Sequence, residues 1–232
     1  MSIVAVIPAR GGSKGIPRKN LVRITGRPLI AYSIDAARNA ASVDRVLIST
    51  DDSEIADVAR ELGAEVPFMR PPELADDTAP MLGVLRHALA WLDSQGVAVE
   101  ALVLLQPTSP LRTACHIEDA IALFRSAHAS SVVSVVEVPH RFNPVSLMKL
   151  SAQGMLTLFL DDQVAATRRQ DKPKVYARNG PAVLVCHPDT LRAGELYGDS
   201  CRPYLMSDED SPDIDTPRDL IVAERALLDR GT

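Results

Sequence analysis

The chain has 232 residues, 46% hydrophobic and 24% charged, a composition that suits a globular protein of one domain or two small lobes. Its formal net charge of −5 disfavours general attraction to nucleic acid, so any anion must be bound by locally placed cations. No apolar run reaches the roughly 18 residues that a membrane span needs, and the opening stretch reads as a first strand, not a signal peptide. Cys115, Cys186 and Cys201 are widely spaced and form neither a zinc pattern nor an even disulfide set, so a reducing cytoplasm is the expected setting.

Residues 3–8 form a short apolar run, rich in β-branched side chains, that ends in Pro-Ala-Arg-Gly-Gly: a buried strand running into a loop. The spacing of Ile30, Ile34, Ala37 and Ala41 predicts a helix over 28–41, with Pro28 suited to its first turn. A strand over 45–50 follows. Asp52 or Ser53 can then cap a helix through about Leu62, which Gly63 stops. A short strand is expected over 64–66, and a helix over 81–92 with Leu82, Leu85 and Leu89 on one side. The almost wholly apolar 101–105 is expected in a sheet covered on both faces. A helix over 117–127 and a strand over 131–138 complete an alternation that predicts an α/β fold with a doubly wound, mostly parallel sheet.

The pattern changes over 139–176. Two short apolar pieces, 147–150 and 156–159, surround Gly154 like a hairpin, and a charged tract follows at 167–174, so this stretch reads as an insertion in one domain spanning 1–232. Residues 182–185 resume a buried strand, and 216–230 close the chain as a helix with Leu220, Ala223, Leu227 and Leu228 toward the core.

Chemistry concentrates in a few places. The loop over 8–20 reads Pro-Ala-Arg-Gly-Gly-Ser-Lys-Gly-Ile-Pro-Arg-Lys-Asn. Gly11, Gly12 and Gly15 are expected to permit turns closed to other residues and to let backbone N–H groups converge on one anion. Arg10, Lys14, Arg18 and Lys19 can supply positive charge, as a triphosphate demands before a nucleophile can approach it. The spacing matches neither the dinucleotide fingerprint nor the P-loop, and an ordinary exposed turn with solvated lysines is the bland alternative. Pro107 and Pro110 stiffen the loop after the 101–105 strand, holding Gln106, Thr108, Ser109 and Arg112 in a fixed array where open α/β sheets bind ligands; otherwise it is a rigid connection in which Ser109 caps a turn. Asp213 and Asp215, two apart, put both carboxylates on one face of an extended segment, which suits Mg²⁺, unless Asp215 caps the last helix. Arg168, Arg169, Lys172, Lys174 and Arg178 form a basic tract suited to a carboxylate ligand or to a dimer-contacting arm.

Taken together, these strings resemble the CMP-acylneuraminate synthetases, cytidylyltransferases that activate sialic acids and related nonulosonic acids. Residues 9–15 with Lys19-Asn20 look like the family's signature loop, 70–79 are similar to its R-P-x-x-L-A-x-D-T-A segment, and 105–112 and 213–216 match two further strings. The resemblance implies a Rossmann-like nucleotidyltransferase that transfers CMP from CTP to an acidic sugar and releases pyrophosphate. Arg10 and Lys14 would act on the phosphates, with Ala9, Gly11, Ser13 and Asn20 close to the nucleotide and Arg70, Asp77 and Thr78 lining its pocket. Gln106, Arg169 and Asn179 would face the acceptor, and Asp213 and Asp215 would hold Mg²⁺, with Asp215 serving catalysis alongside Arg10 and Lys14. The resemblance also implies a homodimer in which the inserted arm, 139–176, is exchanged between subunits and helps bind the acceptor; neither nucleic acid nor membrane is an expected partner. The chain departs from the family on the acceptor side. Ala177-Arg-Asn-Gly180 stands where an R-P-N-G string is usual, so that arginine is absent or displaced to Arg178, and Val145-Ser146 stands where a lysine is usual, with Lys149 nearby. A 3-deoxy-octulosonate, a legionaminate- or pseudaminate-type sugar, a phosphonate acceptor, or a non-catalytic nucleotide-binding module therefore stay open.

Overall fold

The apolar runs read above become strands buried on both faces, and the helices between them cover the two sides. A computed structural model describes residues 1–76, 78–160 and 172–231. Chain order is β1 (Ser2–Pro8), β2 (Arg23–Ile24), β3 (Arg27–Pro28), α1 (Leu29–Arg38), β4 (Arg45–Ser49), α2 (Ser53–Glu61), α3 (Met81–Ser94), β5 (Val99–Leu104), α4 (Ala114–Ala127) and β6 (Ser131–Glu137). There follow β7 (Met148–Leu150), β8 (Leu156–Leu158), β9 (Tyr176–Arg178), β10 (Leu184–Cys186), α5 (Pro188–Arg192), β11 (Cys201–Leu205) and α6 (Pro217–Asp229).

The main sheet runs β11-β6-β10-β5-β1-β4. The pairs β1/β4, β1/β5 and β6/β11 are parallel, while β10 lies antiparallel between β5 and β6. Alternation along β1 explains its unbroken apolar sequence. Ile3, Ala5 and Ile7 pack against α1, α2 and α4 through Ile34, Ile55 and Ile117, while Val4 and Val6 face α3 and α5 through Leu85, Leu89 and Leu191. A third cluster seats α6 on the loops of one end, where Ala223 and Leu227 meet Ile16, Leu111 and Ile214.

Some expectations need correcting. Residues 64–66 form no strand; Glu65 makes only an isolated bridge to Leu47. Leu228, expected in the core, is exposed, because it lies about 100° around the helix from the buried Leu227. The resumed strand begins at Leu184, two residues later than the apolar pattern suggested. The elements α5 and β11 were not foreseen at all. The sequence of β11, Cys-Arg-Pro-Tyr-Leu, is mostly exposed and carries a proline, as edge strands do.

One irregularity positions the site. β9 pairs with Val135–Glu137 of β6 and β10 pairs with Ser131–Val133, so residues 179–183 of the returning chain lie opposite Ser134 alone. The excess chain bulges toward the loop after β5. Ser134 holds it there: its N–H donates to the Val183 carbonyl at 2.9 Å, its hydroxyl to Asn179 Oδ1 at 2.6 Å, and it accepts from Val183 N–H at 2.9 Å. Between β6 and β9 the chain forms a separate antiparallel hairpin, β7/β8, with Gly154 at φ +77° in its turn.

Candidate active site

The loops at the carboxyl ends of β1 and β5 meet the segment before α6, at the position where open α/β sheets bind ligands. A cavity of ≈ 280 Å³ there brings together Arg10, Ser13, Lys14 and Asn20 from the first loop, Gln106 from the second and Asp215 from the third. On the other side of the first loop, a groove of ≈ 340 Å³ is lined by Arg10, Ser13, Lys14 and Asp76.

The first loop is anchored at both ends. Ala9 N–H donates to the Ser49 carbonyl at 2.9 Å, Gly11 N–H to Asp51 Oδ1 at 3.0 Å, and the buried Asn20 gives its amide to the Arg10 carbonyl at 2.9 Å. Asn20 thus braces the backbone that carries Arg10. The glycines serve differently from the expectation. None of Gly11, Gly12 and Gly15 has a left-handed φ. Close approach is what requires two of them: a Cβ on Gly15 would stand 2.3 Å from the Asp215 carbonyl oxygen, and one on Gly11 would stand 2.6 Å from Asp52 Oδ2. Arg18 is spent elsewhere, on Asp52 at 2.8 Å and Glu54 at 2.5 Å, while Asp52 also caps α2 by accepting from Ile55 N–H at 3.0 Å. Lys19 donates to the Ile214 carbonyl at 2.6 Å and to Asp215 Oδ1 at 3.0 Å, tying this loop to the aspartate tail.

Arg70 is buried behind the loop. Its Nε donates to Ser49 Oγ at 3.0 Å and its Nη2 to the Ser49 carbonyl, while burial lowers its proton affinity to a pKa of about 10. Thr78 is exposed and turns back on Asp76, its N–H lying 3.2 Å from Asp76 Oδ1. Asp77 and Arg169 lie outside the described residues, as does Arg168.

The aspartate tail docks on the second loop through Ile214 N–H, which donates to the Thr108 carbonyl at 2.9 Å. Ile214 is buried between the two aspartates, and of the pair it is Asp215 that lines the cavity. The capping question is answered by Thr216, which forms a capping box with Asp219 and leaves the Asp215 carboxylate exposed beside Lys19. Asp213 is half-buried, and its Oδ1 has no hydrogen-bond partner. Burial raises its pKa above the usual carboxylate range; Asp215 adds to the rise, and a hydrogen bond from Thr108 and the charge of Lys19 oppose it. Among the described residues no cluster of three or more His, Cys, Asp or Glu is arranged to hold a metal. Two carboxylates, one with an unsatisfied buried oxygen, still suit a hard cation that takes its remaining ligands from substrate and water.

In the second loop, the Gln106 carboxamide donates to the Gly180 carbonyl at 2.9 Å. Ser109 is fully buried with its hydroxyl unpartnered, so it caps nothing; the N-cap of α4 is Thr113. Asn179 is buried and engaged on both ends: its Oδ1 accepts from Ser134 Oγ at 2.6 Å and Ala182 N–H at 3.3 Å, and its amide donates to Ser211 Oγ at 2.8 Å. It braces the site instead of opening onto it. Arg178 lies over the Tyr197 ring at 5.5 Å and bonds the Tyr197 hydroxyl, which commits the displaced arginine to an aromatic partner. The place of the missing lysine is met from the basic tract, since Lys172 Nζ donates to Ser146 Oγ at 2.5 Å. Lys172 and Lys174, with Glu137, His140, Asn143 and Asp208, line a second cavity of ≈ 640 Å³ at the carboxyl end of β6.

Lys19, Thr108 and Lys172 gain roles that sequence reasoning did not assign. Lys19 was legible only as one charge among four, because its partners Ile214 and Asp215 are almost 200 residues away, 195 and 196 positions along the chain.

Comparisons with known proteins agree with this geometry. Residues 4–214 match a protein family described as cytidylyltransferase. The chain is 34% identical to a CMP-N,N'-diacetyllegionaminic acid synthase of Legionella pneumophila, over 98% of this chain and 97% of that one. It is 35% identical to an N-acylneuraminate cytidylyltransferase of Streptococcus agalactiae, where it covers 95% of this chain but 52% of the longer protein. The fold matches that of a CMP:2-keto-3-deoxy-manno-octonic acid synthetase solved with CTP, with a TM-score of 0.72 at 18% identity over 100% of both chains.

Proposed function

The chain belongs to the cytidylyltransferase family of the CMP-nonulosonic acid synthetases and transfers CMP from CTP to an acidic sugar; we propose that the sugar is a nonulosonic acid, that Mg²⁺ assists, and that two copies of the chain work together. The observation that carries this reading is the convergence of Arg10, Lys14, Gln106 and Asp215 on one cavity from three separate segments. The reaction is attack by the acceptor hydroxyl on the α-phosphorus of CTP. The new P–O bond forms as the bond to the β-phosphate breaks, and pyrophosphate leaves with that bonding pair.

Arg10 and Lys14 hold the triphosphate and offset the charge that builds on the leaving pyrophosphate. Ser13 and the loop amides fix its orientation. Gln106, its backbone fixed by neighbours, presents a carboxamide to the acceptor. Lys19 keeps Asp215 in place against the first loop. Asp213 and Asp215 are the residues that would hold Mg²⁺, and the unsatisfied Asp213 Oδ1 fits that role; when bound, the ion polarises the α-phosphate and eases ionisation of the attacking hydroxyl.

Which nonulosonic acid is bound follows from the acceptor side. With Ala177 in place of one arginine and Arg178 committed to Tyr197, the acceptor is held by a cation set different from that of the N-acetylneuraminate enzymes. A legionaminate-type sugar accords with the nearly full-length match to the Legionella protein. Exposed apolar side chains on the β7/β8 hairpin, Leu150, Met155 and Leu156 among them, favour a second copy as partner. Among the described residues no helix is long and apolar enough to cross a membrane, and unpaired cysteines suit the cytoplasm. Pyrophosphate should appear only when CTP, Mg²⁺ and a nonulosonic acid are all present. Tight CTP binding with no release for any such acid would overturn the reading.

A further inference from the structure

We propose that Arg112 is a positioning residue for the acceptor half of the site: its guanidinium locks the Gln106 backbone to the irregular segment 179–183 and thereby aims the Gln106 carboxamide. The inference rests on the reading that Gln106 faces the acceptor. Arg112 is 2% exposed. Its Nη1 donates to the Gln106 carbonyl at 3.0 Å and to the Ala182 carbonyl at 2.9 Å, joining segments that stand 70 residues apart in the chain.

The bulge explains why such a donor is needed. Residues 179–183 lie opposite Ser134 alone, so their carbonyls cannot all be satisfied by the β6 ladder. Ser134 N–H serves Val183. Two further donors come from the Gln106 loop and its flank: the Gln106 amide serves Gly180, and Arg112 serves Ala182. The bulge and Gln106 therefore fix each other, and Arg112 is the link that does not pass through the Gln106 side chain. Asn179 extends the connection, since its amide bonds Ser211, two residues before Asp213.

An ordinary core role does not account for this residue. No carboxylate pairs with Arg112 among the described residues, its Nε and Nη2 have no partner, and burial pushes its pKa down to about 9. A buried charge without a counter-ion is unfavourable, and an apolar side chain would fill the same volume at less cost. What Arg112 supplies is Nη1 at the end of a long, planar side chain, one nitrogen that donates to both chain segments.

The test uses the full-length protein and two variants, R112M and R112K. Amide hydrogen exchange without ligand reads the lock itself. In R112M, peptides covering 105–108 and 177–186 should exchange at least ~10-fold faster while the 8–20 peptide stays as in the parent, and R112K, whose ammonium can donate but sits on a shorter side chain without the planar geometry, should fall between. Calorimetry with CTP and Mg²⁺ should give a Kd within about twofold of the parent, while KM for N,N'-diacetyllegionaminate or N-acetylneuraminate, whichever the parent turns over, rises at least ~10-fold in R112M and partly recovers in R112K. Unchanged exchange at both segments would overturn the proposal, as would equal weakening of CTP and acceptor in both variants. If R112M does not fold, R112K carries the same comparison. A parent protein that accepts no acid refutes the assigned function, and the exchange result still decides the lock.

Discussion

Gly15 and Asp215 illustrate how single residues join distant strings. A Cβ at 15 would meet the Asp215 carbonyl at 2.3 Å, so the glycine loop and the aspartate tail approach this closely only because that position is glycine. Two charges in this contact region are open to direct test. Lys14→Ala and Asp215→Ala should each lower turnover on the order of 10²-fold or more, measured as pyrophosphate release, while leaving the fold intact by circular dichroism. Near-parental turnover in both would contradict the assigned roles. Asp213 makes the opposite kind of prediction. Its folded-state pKa is raised, mainly by burial, so folding loses stability as pH rises from the usual carboxylate value through the raised one. Asp213→Asn should therefore melt at or above the parental temperature at pH 7 without metal, yet show little turnover and no extra stabilisation by Mg²⁺ with CTP. A lower melting temperature under those conditions would contradict the burial argument. The loop charges were legible in the sequence because cations and glycines lie in one string. The commitment of Arg18 to Asp52 and Glu54 and the saturation of Asn179 were not, because their partners lie 34 and 36 residues away for Arg18, and up to 45 for Asn179.

At the level of elements, the strands with two buried faces announced themselves, since residues 3–7 of β1 and 101–104 of β5 are continuous apolar runs. The edge strand β11 did not, because most of its side chains meet solvent and a proline interrupts it, and α5 is too short for helical periodicity to show. The bulge between β9 and β10 was also hidden: 182–185 read as one apolar stretch, but register with β6 is set by Ser134 and by the chain that precedes it. The hairpin β7/β8 is the element whose exposure asks for a partner. Leu150, Met155 and Leu156 are 69%, 68% and 62% exposed. Sedimentation should show the parent as a dimer, and Leu156→Glu, placed on this surface, should shift it toward monomer and lower turnover together. A dimer that survives this substitution at micromolar concentration would move the interface away from the hairpin.

The whole molecule divides its site between two kinds of construction. The proposed nucleotide half lies on loops at the ends of β1 and β5, and its strings are readable in order along the sequence. The proposed acceptor half lies around the return from β6 to β9 and a cavity of ≈ 640 Å³, where Lys172 reaches Ser146 and Arg178 turns to Tyr197. Those side chains sit in irregular backbone whose partners no periodicity predicts, which is why the sequence showed that the acceptor side departs from the family without showing what replaces it. The most direct measurement is a panel of acids, N-acetylneuraminate, N,N'-diacetyllegionaminate, pseudaminate and 3-deoxy-octulosonate, each incubated with CTP and Mg²⁺ and scored for the CMP-sugar by mass spectrometry. A CMP-nonulosonate is expected, formed fastest with the legionaminate-type acid and lost in Asp215→Ala. No CMP-sugar from any of the nonulosonic acids, with CTP bound but intact, would contradict that expectation.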